Sequence, residues 1–200
     1  MISIVGIGNA ASRIAEKFNP QQGNYNVYLM GSDLEDSERS FKLKKFENPE
    51  DYEKNIPDLK TFFKDVSETV QVFIVGSSLS SNYSLGILEQ IKDKKIEVIY
   101  IKPDVELLTG VPKLTENAVY RVLQEYARSG LLQSITIFSN LELEKSLSNI
   151  SIKNYFDSIN QAIFSSVHYL NFFSHTDPEV GQVSKPLDIN RIRSIGAIDV

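Results

Sequence analysis

The stretch "MISIVGIGNAASRIAEKF" (residues 1–18) decides the fold. An apolar run of Ile and Val leads into Gly6 and Gly8. Asn9 and small residues follow, and then a helical pattern carries Ile14 and Phe18 at helical spacing. Gly6, Gly8 and Ala11 form G-x-G-x-x-A between a strand and a helix. Glycines in that place allow a tight turn and a close approach of phosphate oxygens to backbone N–H groups. The helix N-terminus adds partial positive charge. The same glycines also serve plain strand-to-helix packing, so the motif alone leaves both roles open. A dinucleotide-type site further wants an acid near the end of the second strand, and Asp33 stands two residues beyond Met30-Gly31.

Working outward, "NVYLMG" (26–31), "VQVFIVG" (70–76), "IEVIYIK" (96–102) and "SITIFSN" (134–140) repeat the pattern of short apolar runs rich in Ile and Val. Continuous runs of this kind suit strands covered on both faces. "FKLKKF" (41–46) reads as a weaker sixth strand, and its lysines suit a sheet edge. Helical patterns fall between: 9–18, 49–66 with a break at Pro57, 84–94, and 115–130 with Thr115 leading in and Gly130 closing. This alternation predicts an α/β fold, a Rossmann-like, doubly wound, mostly parallel sheet of about six strands. "SIKNYFDSINQAIFSSVHYLNFF" (151–173) predicts a long central helix after the last strand. Phe156, Ile159, Ile163, Val167 and Leu170 form one stripe, and further aromatics spread apolar surface around the cylinder, so neighbours are expected on several faces. A last helix is expected to start within 188–196.

Length and composition set the class. The chain has 200 residues, 42% hydrophobic and 24% charged, which fits one soluble domain over 1–200. A net charge of −5 disfavours nucleic acid as a partner. The absence of cysteine removes disulfide and thiolate chemistry. The two histidines, His168 and His175, lack metal-ligand spacing. With no signal peptide and no membrane span in the pattern, a cytoplasmic protein without membrane contact is expected. A serine nucleophile is disfavoured because no G-x-S-x-G occurs.

The turn "VGSSLSSNYSLG" (75–86) gathers small and hydroxyl residues after a central strand, where α/β sheets bind ligands. The order of all these segments, across 1–196, resembles the nucleotide-binding domain of the tubulin/FtsZ family. "VGIGNAASRIAEKF" resembles the family's opening phosphate loop, "VYLMGSDLEDS" its following Asp segment, and "VFIVGSSLSSNYSLG" its signature phosphate loop. "YFDSINQAIFSSVHYL" resembles its central helix, and "PLDINRIRSIG" the loop that reaches the nucleotide of the next subunit. The resemblance implies GTP or GDP, accompanied by Mg2+. It assigns Gly6, Gly8, Asn9 and Ala10 to the phosphates and Asp33 to the nucleotide. Gly76, Ser77, Ser78, Ser80 and Ser81 line the second phosphate loop, Asn140 sits near the ribose, and Phe156 and Asn160, at i, i+4, take the base.

This chain departs from the family in three ways. "SSLSSNYS" contains no glycine where the family has G-G-G-T-G-[ST]-G, so its cradle differs in shape. In the loop after the central helix, Asp188 matches the family's first catalytic acid, Arg191 the second and Pro186 the Asn. An Arg accepts no proton or hydrogen bond, so weak or absent hydrolysis is expected. The chain stops about where the family's second domain begins, which argues against filaments of this chain alone and leaves self-association or a protein partner through the longitudinal faces. The expected function is a divergent guanine-nucleotide-binding protein with a structural or regulatory role. A protein-interaction module that has lost its nucleotide is the alternative, and an NAD-binding oxidoreductase a third reading.

Overall fold

The computed structural model of the chain describes residues 1–19, 25–147, 151–175, 180–181 and 187–196. A seven-stranded sheet forms the centre: β1 (Ile2–Ile7), β2 (Tyr25–Gly31), β3 (Ser40–Lys42), β4 (Thr69–Val75), β5 (Lys95–Lys102), β6 (Ser134–Ser139) and β7 (Ile192–Ile195). The order across it is β3-β2-β1-β4-β5-β6-β7, and every pairing is parallel. The five apolar runs are the five interior strands. The charged run at 41–46 contributes β3, a short edge strand.

Helices cover both faces. On one side lie α2 (Pro49–Lys54), α3 (Ser84–Gln90) and α4 (Gly110–Ser129), over a core that includes Val5, Ile7, Tyr28, Ile87 and Leu123. On the other lie α1 (Asn9–Glu16), α5 (Asn140–Ser146) and α6 (Tyr155–His175), over Ile4, Ile14, Phe18, Phe73, Phe138 and Ile163. Phe18 is fully buried and meets Tyr25, Phe73 and Phe164 at ring-centroid distances of 4.9, 5.6 and 4.8 Å. It thereby joins α1, β2, β4 and α6.

Several expectations need correction. The expected helix at 188–196 is the strand β7, because Ile192–Ile195 pair in register with Ile135–Phe138 and extend the sheet. Strand pairing with a preformed edge overrides local propensity there. The helix expected over 49–66 ends at Lys54. Pro57 stops it, yet Leu59 and Phe63 still reach the core from a turn. Helix α4 starts at Gly110, upstream of Thr115, with Pro112 in its first turn, and closes on Gly130 in the left-handed region (φ 87°), as expected. Within the long helix, α6 buries one stripe, Ile159, Ile163 and Val167. Phe156 is 72% exposed, and Leu170, Tyr169, Phe172 and Phe173 are exposed as well. It is not packed on several sides by the described residues. None of the helices among those residues is long and apolar enough to cross a membrane.

These contacts separate two aromatics of similar size. Phe18→Ala is expected to cost about 3–5 kcal/mol of stability. Phe156→Ala is expected to stay within about 0.5 kcal/mol of the parent. Urea unfolding of both variants checks this contrast.

Candidate functional site

In this strand order the chain leaves β1 toward β2 on one side and later returns to β4 on the other. The crevice between β1 and β4, at the C-terminal edge of the strands, is therefore the topological switch point, the usual ligand position in open α/β sheets. Two turns meet there: the glycine turn from β1 into α1, and the serine turn from β4 into the 3₁₀ turn Leu79–Tyr83. Between them lies a cavity of about 330 Å³ lined by Gly8, Asn9 and Ala10 from the first turn and Ser78, Leu79 and Ser80 from the second. Ser32 from the end of β2 and Lys44 and Lys45 from the segment after β3 complete its polar wall.

The glycine turn is shaped by close packing. A Cβ on Gly6 would stand 2.7 Å from the Ser12 Cα, so α1 presses its backbone onto β1. The Ser12 hydroxyl lies 3.1 Å from the Gly6 carbonyl and 3.0 Å from that of Met30, and accepts from the Met30 N–H at 3.1 Å. Gly8 adopts φ 91°, in the region where L side chains are strained, and its N–H donates to the Met30 carbonyl at 2.7 Å. A Cβ there would also meet the Ser80 hydroxyl at 2.0 Å. No side chain caps the start of α1, so that helix end retains its appetite for an anion.

Asn9 bridges the turn to the end of β2. Its Nδ2 donates to Ser32 Oγ at 2.9 Å, and its Oδ1 accepts from the Asp33 N–H at 3.2 Å. Asp33 forms an exposed ion pair with Lys45 at 3.0 Å. Hydrogen bonds from Lys45 and Ser32 hold its carboxyl below the ordinary carboxylate range, so the pair persists at neutral pH and is lost only on strong acidification.

In the serine turn, Ser78 and Ser80 share a hydroxyl–hydroxyl hydrogen bond of 2.7 Å at the cavity wall. Ser81 is buried and braces the turn by donating to the Ser78 carbonyl at 2.6 Å. Ser77 is half-buried, and Gly76 backs onto the Tyr100 ring. Burial pushes the Tyr100 hydroxyl well above the ordinary tyrosine range.

The other expected site residues lie outside this lining. Asn140 opens α5 at the C-terminal end of β6, and its Oδ1 is buried with no partner among the described residues. Phe156 and the half-buried Asn160 occupy the first turns of α6. That end of α6 lies at the C-terminal edge of the sheet, since Tyr155 donates to Glu144 of α5 at 3.3 Å while Asn171 meets Gln71 near the start of β4. Phe156 therefore shares an edge with Gly8 and is open to solvent there. Asp188 is exposed in the turn before β7, at the opposite edge. It lines a separate depression with Arg128, Asn190 and Arg191, and Arg191 fills the space beside Gly130. Pro186 lies outside the described residues. His168 accepts or donates a 3.0 Å hydrogen bond with Tyr25 and stacks on Phe164, a packing role. Lys44, Lys45 and Ser32 were not singled out from the sequence. Only their fold-back beside the glycine turn brings them to the cavity, although the basic pair was visible in the edge-strand run.

No protein-family model matches the chain, and no curated protein matches it in sequence. Among solved structures, an empty FtsZ dimer from M. jannaschii superposes with a TM-score of 0.71 at 14% identity, over 90% of this chain and 57% of that one. The chain thus has an FtsZ-like fold and spans a little over half the length of that FtsZ. A C-terminal deletion mutant of Thermoplasma acidophilum aldohexose dehydrogenase matches at a TM-score of 0.49 and 11% identity, over 84% of this chain and 88% of that one.

Gly8→Ala combines a strained φ with a clash at Ser80. It is expected to lower stability by about 1–3 kcal/mol. Adding Ser80→Gly should recover part of this by removing the clash alone, and thermal unfolding of the single and double variants measures both parts.

Proposed function

We propose that this chain binds a guanine nucleotide, with its phosphates in the crevice between the glycine and serine turns, and hydrolyses it weakly or not at all. The observation that carries the reading is the position of that crevice. It lies at the topological switch point, beneath an uncapped helix start, with Lys44 and Lys45 on its wall. A polyphosphate needs that combination of backbone donors, helix charge and mobile cations. The cavity of about 330 Å³ also carries Leu43, Phe46 and Tyr52, so the phosphates would take its Gly8, Ser80 and Lys45 side. The base would then lie outside it, toward the exposed Phe156 ring and Asn160. The choice of guanine rests on the family resemblance at those two residues. An accompanying Mg2+ would be held chiefly by the phosphates and water, since such sites need only one or two carboxylates. Asp33 is the carboxylate beside the crevice.

Poor hydrolysis follows from the residues before β7, where Asp188 is the one acid among 187–191. It stands at the far edge of the sheet from Gly8, so it could act only on a nucleotide held by another copy stacked end to end. Arg191, where the family carries a second acid, offers no base. The protein would then act by holding nucleotide, in a structural or regulatory role.

The alternative, a protein-interaction module without nucleotide, is favoured by one feature. The Ser78–Ser80 pair leans on Gly8 and occupies part of the space a phosphate would use.

Titration of fluorescent GTP, with ATP and NAD as competitors, separates these readings. Guanine-selective binding is expected, and Phe156→Ala should weaken it by about 1–3 kcal/mol without loss of fold. Lys45→Gln should weaken triphosphate more than nucleoside. Failure of every nucleotide to bind at millimolar concentration would overturn the proposal in favour of the interaction module. Preference for NAD would favour a dehydrogenase-like role.

A further inference from the structure

The sheet face beneath α6 changes character along its strands. Near the C-terminal edge the helix-facing residues are apolar, with Val75, Ile101, Phe138 and Ile195 paired in register across β4 to β7. Toward the N-terminal edge the same face carries Gln71, Glu97 and Ser134 in one row, with Thr136 and Arg193 paired just above it. A sheet face covered by a helix is ordinarily apolar, so a polar patch reaching across four strands needs a reason.

Part of the reason is structural. Gln71 Nε2 donates to Asn171 Oδ1 at 2.7 Å and to Glu97 Oε2 at 2.8 Å, and Asn171 Nδ2 donates back to Gln71 Oε1 at 2.8 Å. The two buried amides thus fasten α6 to the sheet and orient the Glu97 carboxylate. The remaining groups face the same side. Ser134 is 2% exposed and Thr136 is half-buried, both on β6 between Glu97 and Arg193. Arg193 uses Nε on the Asn190 carbonyl at 2.8 Å, which leaves its terminal nitrogens available. No ion pair joins Glu97 to Arg193 among the described residues. All of these residues line one cavity of about 500 Å³, whose apolar walls are Ile99, Val167, Leu170 and Ile195.

We infer that this cavity is a second ligand site, and that it takes a small zwitterion, an α-amino acid with an aliphatic side chain. Glu97 and Arg193 stand on β5 and β7, two strand spacings apart and two residues offset along the strands, roughly 12 Å between backbones. Their side chains can close on the ammonium and the carboxylate of one small molecule. Ser134 and Thr136, between them, supply hydroxyls to the same groups. The aliphatic walls receive the side chain. A phosphate is disfavoured by the Glu97 carboxylate. The site is independent of the nucleotide proposal, because it lies at the opposite end of the strands.

Calorimetric titration of the full chain with L-leucine tests this, beside isovalerate, which lacks the ammonium, and isoamylamine, which lacks the carboxylate. Saturable millimolar binding of leucine is expected, with each single-charge analogue at least about tenfold weaker. Arg193→Gln and Glu97→Gln should each weaken leucine by about tenfold, and Thr136→Val by less. The analogue series needs no variant to fold, and GTP titration of Glu97→Gln, expected to be unchanged, keeps the two sites separate. No saturable leucine binding, equal binding of the analogues, or binding indifferent to both charge variants would overturn the inference.

Discussion

The contact on which the molecule depends is the one between Ser12 and the backbones of β1 and β2. Its buried hydroxyl sits between two strand carbonyls and accepts from the Met30 N–H, while its own backbone lies against Gly6. No side chain at position 6 would allow that approach. The contact sets the start of α1 directly over the end of β1, with the helix mouth open at the switch point. Phe18 at the other end of the same segment then fixes α1 against α6 and β4. One turn of chain thereby decides both how the second layer packs and where a ligand could sit.

The glycine turn illustrates how one residue serves two ends. Gly6 is explained by packing alone. Gly8 is explained by its backbone angle and by the nearness of Ser80, and neither explanation needs a phosphate. What favours a nucleotide surrounds the glycines: the uncapped helix, the switch-point position and the two lysines brought in from beyond β3. The serine turn supplies rigidity in place of the missing glycines, since Ser81 and the Ser78–Ser80 pair hold it from within.

Much of the fold was legible in the sequence because buried parallel strands write themselves as continuous apolar runs, and β1, β2, β4, β5 and β6 each did so. What escaped detection depended on tertiary context. Strand β7 is "IRSI", too short and too polar to announce itself, and exists because β6 offers an edge to pair with. The aromatics of α6 suggested a helix packed all round, but periodicity cannot say how many neighbours a helix has. At the candidate site, the glycine and serine turns were visible as motifs. Lys44 and Lys45 were not, because their place at the crevice depends on how the edge segment folds back. The polar row under α6 was hidden for a similar reason. Gln71, Glu97 and Ser134 belong to three different runs, and only strand register aligns them.

The central claim is that phosphate binds where α1 begins. Backbone amide spectra recorded by NMR during addition of GTP test it most directly. The account predicts that the amides of Gly8, Asn9, Ala10 and Ser78–Ser80 shift together and saturably, with those near Phe156 following the base. Amides that stay unmoved at saturating GTP, or shifts confined to another surface, would contradict it.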